Sequence, residues 1–194
     1  TEFLDNEILG AVIEPTVDRK RLSSLGLESK PYVNAGVLLI DLESWRRERA
    51  EEIILDYFAE HRSELFANDQ DAINGALQGR IKLLPPCYNW CNSYVFYPYR
   101  AIKKMMGSIP YYTEEEFKGY VSNPTIVHFL GEERPWRIGN THVYRDEYIR
   151  YLSMGPYAGE GMEEGWKGYF RAWTAFNTLT KPFPMLRWRT ITGL

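Results

Sequence analysis

Short apolar runs separated by longer stretches of mixed polarity set the pattern of this chain. The first run, residues 8–13, has no polar side chain and predicts an interior strand with neighbours on both sides. A second run covers residues 32–41 and is interrupted by small residues from Asn34 to Gly36, which usually marks close backbone contact. Two further strands are predicted, over residues 81–84 and 125–129, and the last is expected to be buried.

Helical patterns fill the stretches between these strands. A long helix capped by Asp41 is predicted over residues 42–61. A shorter helix is predicted over residues 69–77, and Thr113 with Glu116 forms a capping-box sequence that opens a third. The long helix has an inward apolar stripe made of Trp45, Ile53, Ile54, Tyr57 and Phe58. Strands that alternate with helices indicate an α/β fold.

The composition is that of a globular protein and excludes several classes of function. With 44% hydrophobic and 25% charged residues, the 194-residue chain can bury one sizeable core. Its net charge of -3 gives no reason to expect nucleic acid as a partner. Cys87 and Cys91 are too few for a disulfide framework, and no apolar run reaches the roughly 20 residues that span a bilayer. These features favour a cytoplasmic protein with reduced thiols.

The beginning of the chain is unusual. It starts with Thr1 rather than Met and passes almost at once into the first apolar run. An interior strand so close to the first residue needs partners on both sides. We therefore expect the natural polypeptide to extend further towards its amino terminus.

One segment, residues 124–136, groups three residues that suit a metal-bound diphosphate. His128 lies near the carboxyl end of the strand predicted over residues 125–129, where open α/β sheets place ligand sites. Gly131 permits close backbone approach, and Arg134 offers a rigid fork of donors that matches phosphate oxygens. A lone histidine in an apolar strand is often a satisfied core residue, so this segment alone leaves both interpretations open.

Four segments in a fixed order carry a stronger joint signal. They are residues 32–46 (YVNAGVLLIDLESWR), 68–75 (NDQDAING), 88–90 (YNW) and 128–136 (HFLGEERPW). Together they resemble the family 8 retaining glycosyltransferases, which include bacterial lipopolysaccharide glucosyl- and galactosyltransferases. The resemblance implies a GT-A sandwich, an α/β fold that uses a nucleotide-sugar donor, usually linked to UDP.

The resemblance also divides the chain. Residues 1–140 are expected to be the carboxyl-terminal part of a GT-A catalytic domain, and residues 141–194 a helical tail that is basic and aromatic. The family's Asp-x-Asp metal motif should follow an apolar strand, and no such segment occurs here. We therefore expect a fold that is incomplete at its amino terminus, with that motif and the uridine-binding segment upstream of Thr1.

Roles for single residues follow from the same resemblance. His128 resembles the imidazole ligand of a Mn²⁺ or Mg²⁺ ion, and an imidazole beside oxygen ligands favours Mn²⁺. Gly131 and Arg134 resemble diphosphate contacts, although many relatives carry Lys where Arg134 stands. Asp69 and Gln70 match the catalytic positions that face the transferred sugar, with Gln70 near the anomeric carbon. The strand segment beside the sugar is matched by Asn34, Ala35 and Gly36.

Without the resemblance, a simpler interpretation of this helix start is open. Asp69 could cap the helix, while Gln70 and Asp71 could be solvated residues of its first turn. Asp69 and Asp71 do spell Asp-x-Asp, but residues two apart on a helix point about 200° apart and cannot both bind one ion. The metal motif is therefore expected elsewhere.

The tail, residues 165–194, combines aromatic and basic side chains. Its aromatic stripe at helical spacing consists of Trp166, Tyr169, Phe170, Trp173 and Phe176. Its basic residues, which meet no acidic residue, are Lys167, Arg171, Lys181, Arg187 and Arg189. Either the stripe packs on the rest of the domain, or the helix makes peripheral contact with anionic lipid at the inner face of the membrane.

The resulting hypothesis is a metal-dependent retaining hexosyltransferase. It would move glucose or galactose from a UDP-sugar to a glycan or lipooligosaccharide acceptor in lipopolysaccharide biosynthesis. The full-length protein would be the enzyme, and this chain alone is expected to be inactive. One alternative is a non-catalytic fragment or degenerate relative that binds carbohydrate without turnover. Another is an unrelated metal-dependent phosphoesterase.

Overall fold

The β structure is a single three-stranded sheet in the computed structural model, which describes residues 6–193 of the chain. The middle strand, β1 (Leu9–Ile13), pairs antiparallel with β2 (Val33–Ile40) and parallel with β3 (Ile81–Leu84). All five residues of β1 are buried, as an apolar run with neighbours on both sides requires. The predicted interior strand is therefore confirmed. The chain start, on which the expected upstream extension was based, lies outside the described residues.

The predicted interruption of the second strand is a bulge in β2. Ala11 of β1 is opposite Leu38, while the next residue, Val12, is opposite Asn34. Residues 35–37 therefore have no partner in this ladder. An insertion of this kind usually bends the strand and redirects its side chains.

Helices make up most of the remaining described chain, so the fold is mixed α/β with a helical carboxyl-terminal part. Thr113 and Glu116 form the predicted capping box at the start of α7. A 3₁₀ turn covers Pro86–Asn89. The α-helices are α1 (Arg19–Ser24), α2 (Leu42–Arg47), α3 (Ala50–His61), α4 (Asn68–Ala76), α5 (Ser93–Phe96), α6 (Tyr99–Met106), α7 (Glu114–Ser122), α8 (Arg145–Met154), α9 (Lys167–Thr180) and α10 (Pro184–Thr192).

The chain divides into two compact units. Unit 1 contains the described residues up to 90 together with residues 102–126, and unit 2 contains residues 91–101 and 127–193. The core of unit 1 is formed by Ile8, Leu9, Ala11, Val33, Ala50, Ile73 and Leu77. In unit 2, Phe170 and Trp188 are buried. Cys87 of unit 1 and Cys91 of unit 2 are both thiols, as predicted.

The prediction of a single long helix over residues 42–61 is wrong, because two helices, α2 and α3, form instead. Asp41 does cap α2, accepting hydrogen bonds from two backbone N–H groups of its first turn. The break falls at Arg49, whose φ of 55° is left-handed and whose Nε donates to Glu52 at 2.7 Å. After the break the helix faces differ from those of one continuous helix. Ile53, predicted to point inward, is 43% exposed.

No strand forms over residues 125–129, so the prediction of a buried strand carrying His128 is wrong. The backbone N–H groups of Thr125 and Ile126 donate to the carbonyl oxygen of Cys87 at 2.8 and 3.0 Å. One residue of the segment forms an isolated bridge, and Ile126 is 41% exposed. An apolar run becomes a strand only where another strand is available to pair with it, and none of the three described strands pairs here.

The aromatic stripe of the tail packs within unit 2. Phe170 is 2% exposed, and Trp173 stacks on Phe176 with their ring centres 5.3 Å apart. The guanidinium of Arg187, a residue that is equally buried, lies over the rings of Trp173 and Phe176. Of the two alternatives for the stripe, the structure shows the packed helix. Among residues 6–193 we find no helix with the length and apolar character needed to span a bilayer.

Candidate functional site

Helix α4 docks on β2 through the side-chain amide of Asn74. Asn74 Oδ1 accepts a hydrogen bond from Val33 N at 2.7 Å, and Nδ2 donates to Val33 O at 2.8 Å. These two bonds are the kind that a neighbouring strand would supply, so the amide replaces a strand at this point. Asn74 is 2% exposed, and α4 is therefore held at a defined position against β2.

The same helix presents Gln70 to the bulge. Gln70 Oε1 accepts a hydrogen bond from Ala35 N at 3.1 Å, and Nε2 donates to the hydroxyl of Tyr32 at 3.1 Å. Both ends of the amide are thus held, one by the backbone that has left the ladder and the other by a buried phenol. The structure therefore brings Gln70 and Ala35, two predicted site residues, into contact.

Asn34 holds the shape of the bulge. Its Nδ2 donates to Glu14 Oε2 at 3.1 Å, and its Oδ1 accepts from Asn89 Nδ2 and from Gly36 N, both at 2.9 Å. Because Asn34 is 8% exposed, these bonds tie it into the interior of unit 1. Gly36 is exposed, and it is the part of this segment most open to a ligand.

The carboxylate of Asp71 is completely buried, so a solvated first-turn residue is the wrong description of it. Oδ1 accepts hydrogen bonds from Arg21 Nε at 3.0 Å and from the Tyr32 hydroxyl. Oδ2 accepts from the backbone N–H groups of Phe66 and Ala67, both at 2.8 Å. Burial by itself raises the pKa of Asp71, but the hydrogen bonds from Tyr32, Ala67 and Arg21 outweigh it and lower that pKa. Asp71 is therefore ionised at neutral pH.

Asp69 has the opposite environment. It is exposed, and α4 has no side-chain capping bond, so the interpretation of Asp69 as a helix cap is wrong. An exposed carboxylate two residues before a buried one agrees with the inference that this Asp-x-Asp does not hold one ion. Asp69 is available to accept hydrogen bonds from a ligand.

A second group of predicted residues lies in unit 2. Gly131 has a φ of +58°, which favours glycine, and a Cβ there would have open space around it. Arg134 Nη1 donates to Phe129 O at 3.1 Å, and its guanidinium lies 5.7 Å from the ring centre of Trp136. The other N–H groups of Arg134 form no hydrogen bond to the residues that the structure describes and can bind an anion.

Two contacts that the sequence did not indicate hold the loop that carries Arg134. Arg137 forms an ion pair with Glu163 at 3.0 Å. Glu133 Oε1 accepts a hydrogen bond from Trp173 Nε1 at 2.6 Å. The partners lie 26 and 40 residues away along the chain, so no local pattern could have identified them. With anchors on both sides, the backbone at Arg134 is fixed.

His128 is half-buried in unit 2. Within residues 6–193, no three His, Cys, Asp or Glu side chains come close enough together to hold a metal ion. The described residues therefore do not fit a complete Mn²⁺ or Mg²⁺ site by themselves. His142, also in unit 2, is buried. Burial lowers its pKa to about 4, so its side chain is neutral at pH 7.

The structure has the GT-A fold. The structure is similar to a galactosyltransferase, LgtC, solved in complex with donor and acceptor sugar analogs. The TM-score is 0.62 at 21% sequence identity, over 78% of this chain and 53% of that one. It is also similar to the bifunctional glycosyltransferase WbbM, with a TM-score of 0.54 and 18% identity over 87% of this chain and 30% of that one. At these identities the likeness shows the fold.

The sequence gives the family. The model of Glycosyl transferase family 8 matches residues 3–138. General stress protein A of Bacillus subtilis strain 168 is 34% identical over 146 residues, which are 74% of this chain and 49% of that protein. A lipopolysaccharide 1,2-glucosyltransferase of Escherichia coli is 25% identical over 129 residues, 65% of this chain and 35% of that protein. The chain belongs to glycosyltransferase family 8, and it spans about half or less of the length of these relatives.

The two aspartates of α4 give a matched test of this geometry. Asp71→Ala should lower the free energy of unfolding by about 3–5 kcal/mol, because Arg21 and Tyr32 lose their shared buried acceptor. Asp69→Ala should change it by no more than about 0.5 kcal/mol, since that side chain is exposed. Urea unfolding followed by circular dichroism measures both. A loss of less than about 1 kcal/mol for Asp71→Ala would show that the buried carboxylate does not organise the site.

Proposed function

We propose that this chain carries the part of a retaining hexosyltransferase that binds the sugar and the diphosphate of a UDP-sugar. Glucose or galactose would be moved to a glycan or lipooligosaccharide acceptor, in lipopolysaccharide biosynthesis. Membership of family 8 supports the reaction class. The observation that carries the proposal is the amide of Gln70, held at the bulge of β2 with Asp69 exposed beside it.

The sugar is proposed to lie against α4 and the bulge. Asp69 would accept hydrogen bonds from sugar hydroxyls, and Ala35 and Gly36 would offer backbone next to them. Gln70 is neutral and bonded at both ends of its amide, so it is suited to orient the sugar rather than to attack it. Asn34 would act by holding the bulge.

The chemistry proposed for these residues is transfer on one face of the sugar. The bond between the anomeric carbon and the diphosphate oxygen breaks, and the acceptor oxygen forms the new bond on the same face. The acceptor's proton passes to the departing phosphate oxygen. As a separate proposal for unit 2, Arg134, which follows the left-handed turn at Gly131, would donate to a diphosphate and stabilise the charge that develops on it.

Metal dependence is a further proposal. We propose that His128 supplies one ligand to Mn²⁺, or to Mg²⁺, and that the remaining ligands come from outside the described residues. An imidazole ligand favours Mn²⁺ over Mg²⁺. The side chain of His128 is half-buried.

The reaction can be tested with the natural protein. It should release UDP from UDP-glucose or UDP-galactose when Mn²⁺ and a glycan acceptor are present, and NMR of the product should show the donor's anomeric configuration. Asp69→Asn should lower kcat/KM by about 100-fold, because it weakens hydrogen bonds to the sugar, while Asp56→Asn, on the exposed face of α3, should not.

Other outcomes of that experiment would change the conclusion. Binding of UDP-sugar without any UDP release would favour a carbohydrate-binding relative without turnover. UDP-sugar hydrolysis at the same rate with and without acceptor would favour a phosphoesterase. A natural protein that does not bind UDP-glucose or UDP-galactose, and does not release UDP from either, would contradict the proposed function.

The metal ligand can be tested by a direct binding measurement. His128→Ala should weaken Mn²⁺ binding to the natural protein, followed by electron paramagnetic resonance, by about 100-fold or more, because a coordinating nitrogen is lost. His61→Ala is the matched control, because His61 stacks on Tyr57 at the end of α3 in unit 1. Unchanged Mn²⁺ affinity in the His128 variant would refute the assignment.

We also propose that outward side chains of α9, of α10 and of the turn between them contact anionic lipid, in a protein that is otherwise cytoplasmic. Leu179, Phe183 and Leu186 are 73%, 60% and 59% exposed, and Lys181 and Arg189 are exposed as well. Exposed apolar and basic side chains close together in the sequence are typical of the surface of a helix that lies on a membrane. The packed aromatic stripe is not part of this surface.

This contact predicts a change in vesicle binding. The double variant Phe183→Ser and Leu186→Ser should reduce co-sedimentation with phosphatidylglycerol vesicles, because it removes exposed apolar area. Tyr157→Ser, at another exposed aromatic of unit 2, serves as the control. Equal co-sedimentation of the double variant and the original chain would eliminate the lipid contact.

A further inference from the structure

Unit 2 contains a cavity of about 210 Å³ that none of the predicted donor residues lines. Its walls come from α5, from the loop at Glu133, from residues 141–143 and from the carboxyl-terminal half of α9. Sites for drug-sized molecules occupy about 300–1,000 Å³, so this cavity is suited to a smaller ligand.

The lining combines hydroxyl and amide groups with an apolar wall. Thr174, Asn177 and Thr178 project from α9, and Phe96 with Val95 provides hydrocarbon surface. Hydroxyl and amide groups can both donate and accept hydrogen bonds. A ligand that fits such a wall has polar groups of both kinds on its edge and hydrocarbon on one face.

Glu133 places a carboxylate in the same lining. Its Oε1 is held by Trp173 Nε1, while its Oε2 receives no hydrogen bond from the residues within 6–193. Burial raises the pKa of Glu133, although the Trp173 hydrogen bond and the charge of Arg187 oppose that rise. A carboxyl group that is fixed at one oxygen and open at the other is suited to accept a ligand hydroxyl.

The charges around the cavity favour a neutral ligand. Glu133 disfavours an anion in a partly buried space, and Lys181, which also lines the cavity, disfavours a cation. Sugars are neutral, present hydroxyls around the ring and carry a hydrocarbon face. We infer that this cavity binds one neutral sugar ring, whose hydroxyls donate to Glu133 and whose hydrocarbon face packs on Phe96.

The inference concerns sugar binding without a nucleotide, so it can be tested on the chain itself, with no donor present. Saturation-transfer NMR is expected to show contact between the chain and methyl β-galactoside, methyl α-glucoside or lactose. Thr178→Trp, on the exposed side of α9, should fill the cavity and abolish the transfer of saturation. Thr190→Trp, exposed on α10 and outside the lining, should retain it.

A second variant tests the carboxylate. Glu133→Gln keeps an acceptor for Trp173 and replaces the open oxygen by a donor, so sugar affinity should fall by about tenfold. No saturation transfer to any of the three sugars would overturn the inference. Equal transfer to the original chain and to Thr178→Trp would overturn it too, because the sugar would then bind elsewhere. A natural protein that fails to release UDP while these results hold would contradict the proposed transferase and leave the sugar cavity standing.

Discussion

The buried carboxylate of Asp71 is the interaction on which the rest of unit 1 depends. A charge without solvent is tolerated only when its acceptor positions are filled, and those of Asp71 are filled from several parts of the chain. Arg21 comes from α1, Tyr32 is the residue before β2, and the two N–H groups come from the residues just before α4. One ion therefore orders three elements. Through Tyr32 it also sets the amide of Gln70, so the shape of the candidate sugar site follows from electrostatics in the core.

A similar arrangement occurs within unit 2, where the buried charge is positive instead of negative. There the buried group is the guanidinium of Arg187, which lies over aromatic rings of the tail and acts on Glu133. Trp173 joins the two, since its indole donates to Glu133 while its ring faces the guanidinium. The tail is thereby connected to the loop of Arg134. The aromatic stripe of the tail, which could have contacted a membrane, instead supports the backbone beside Arg134, a candidate diphosphate contact.

The parts of the fold that the sequence predicted well depend on local pattern. The run at residues 8–13 is apolar on both faces, and a strand with a neighbour on each side buries it. The capping box at Thr113 needs only four residues, and it formed. The break at Arg49 could not be predicted in this way, because a left-handed φ is usually marked by a glycine and this position is an arginine. The segment 125–129 failed because a strand requires a partner, which its own residues do not specify.

The candidate site shows the same division. Asn34, Ala35 and Gly36 stand out locally as small residues within an apolar run, and they do form a bulge. The burial of Asp71 could not be seen from its neighbours, because its partner Arg21 is 50 residues away. Glu133 was hidden for the same reason, with its indole partner 40 residues further on. The two aspartates of α4 are the same residue type, and they differ in burial because Asp71 pairs with the distant charge of Arg21.

The two hydrogen bonds between Asn74 and Val33 also bear on pairing between molecules. A strand with unsatisfied N–H and C=O groups along its outer side can recruit a strand from another molecule, which is a common route to insoluble assemblies. At Val33 both groups are already used by a side chain that is itself buried. This end of β2 is thus closed to intermolecular pairing, and the residue that positions α4 also limits association through this end of the strand.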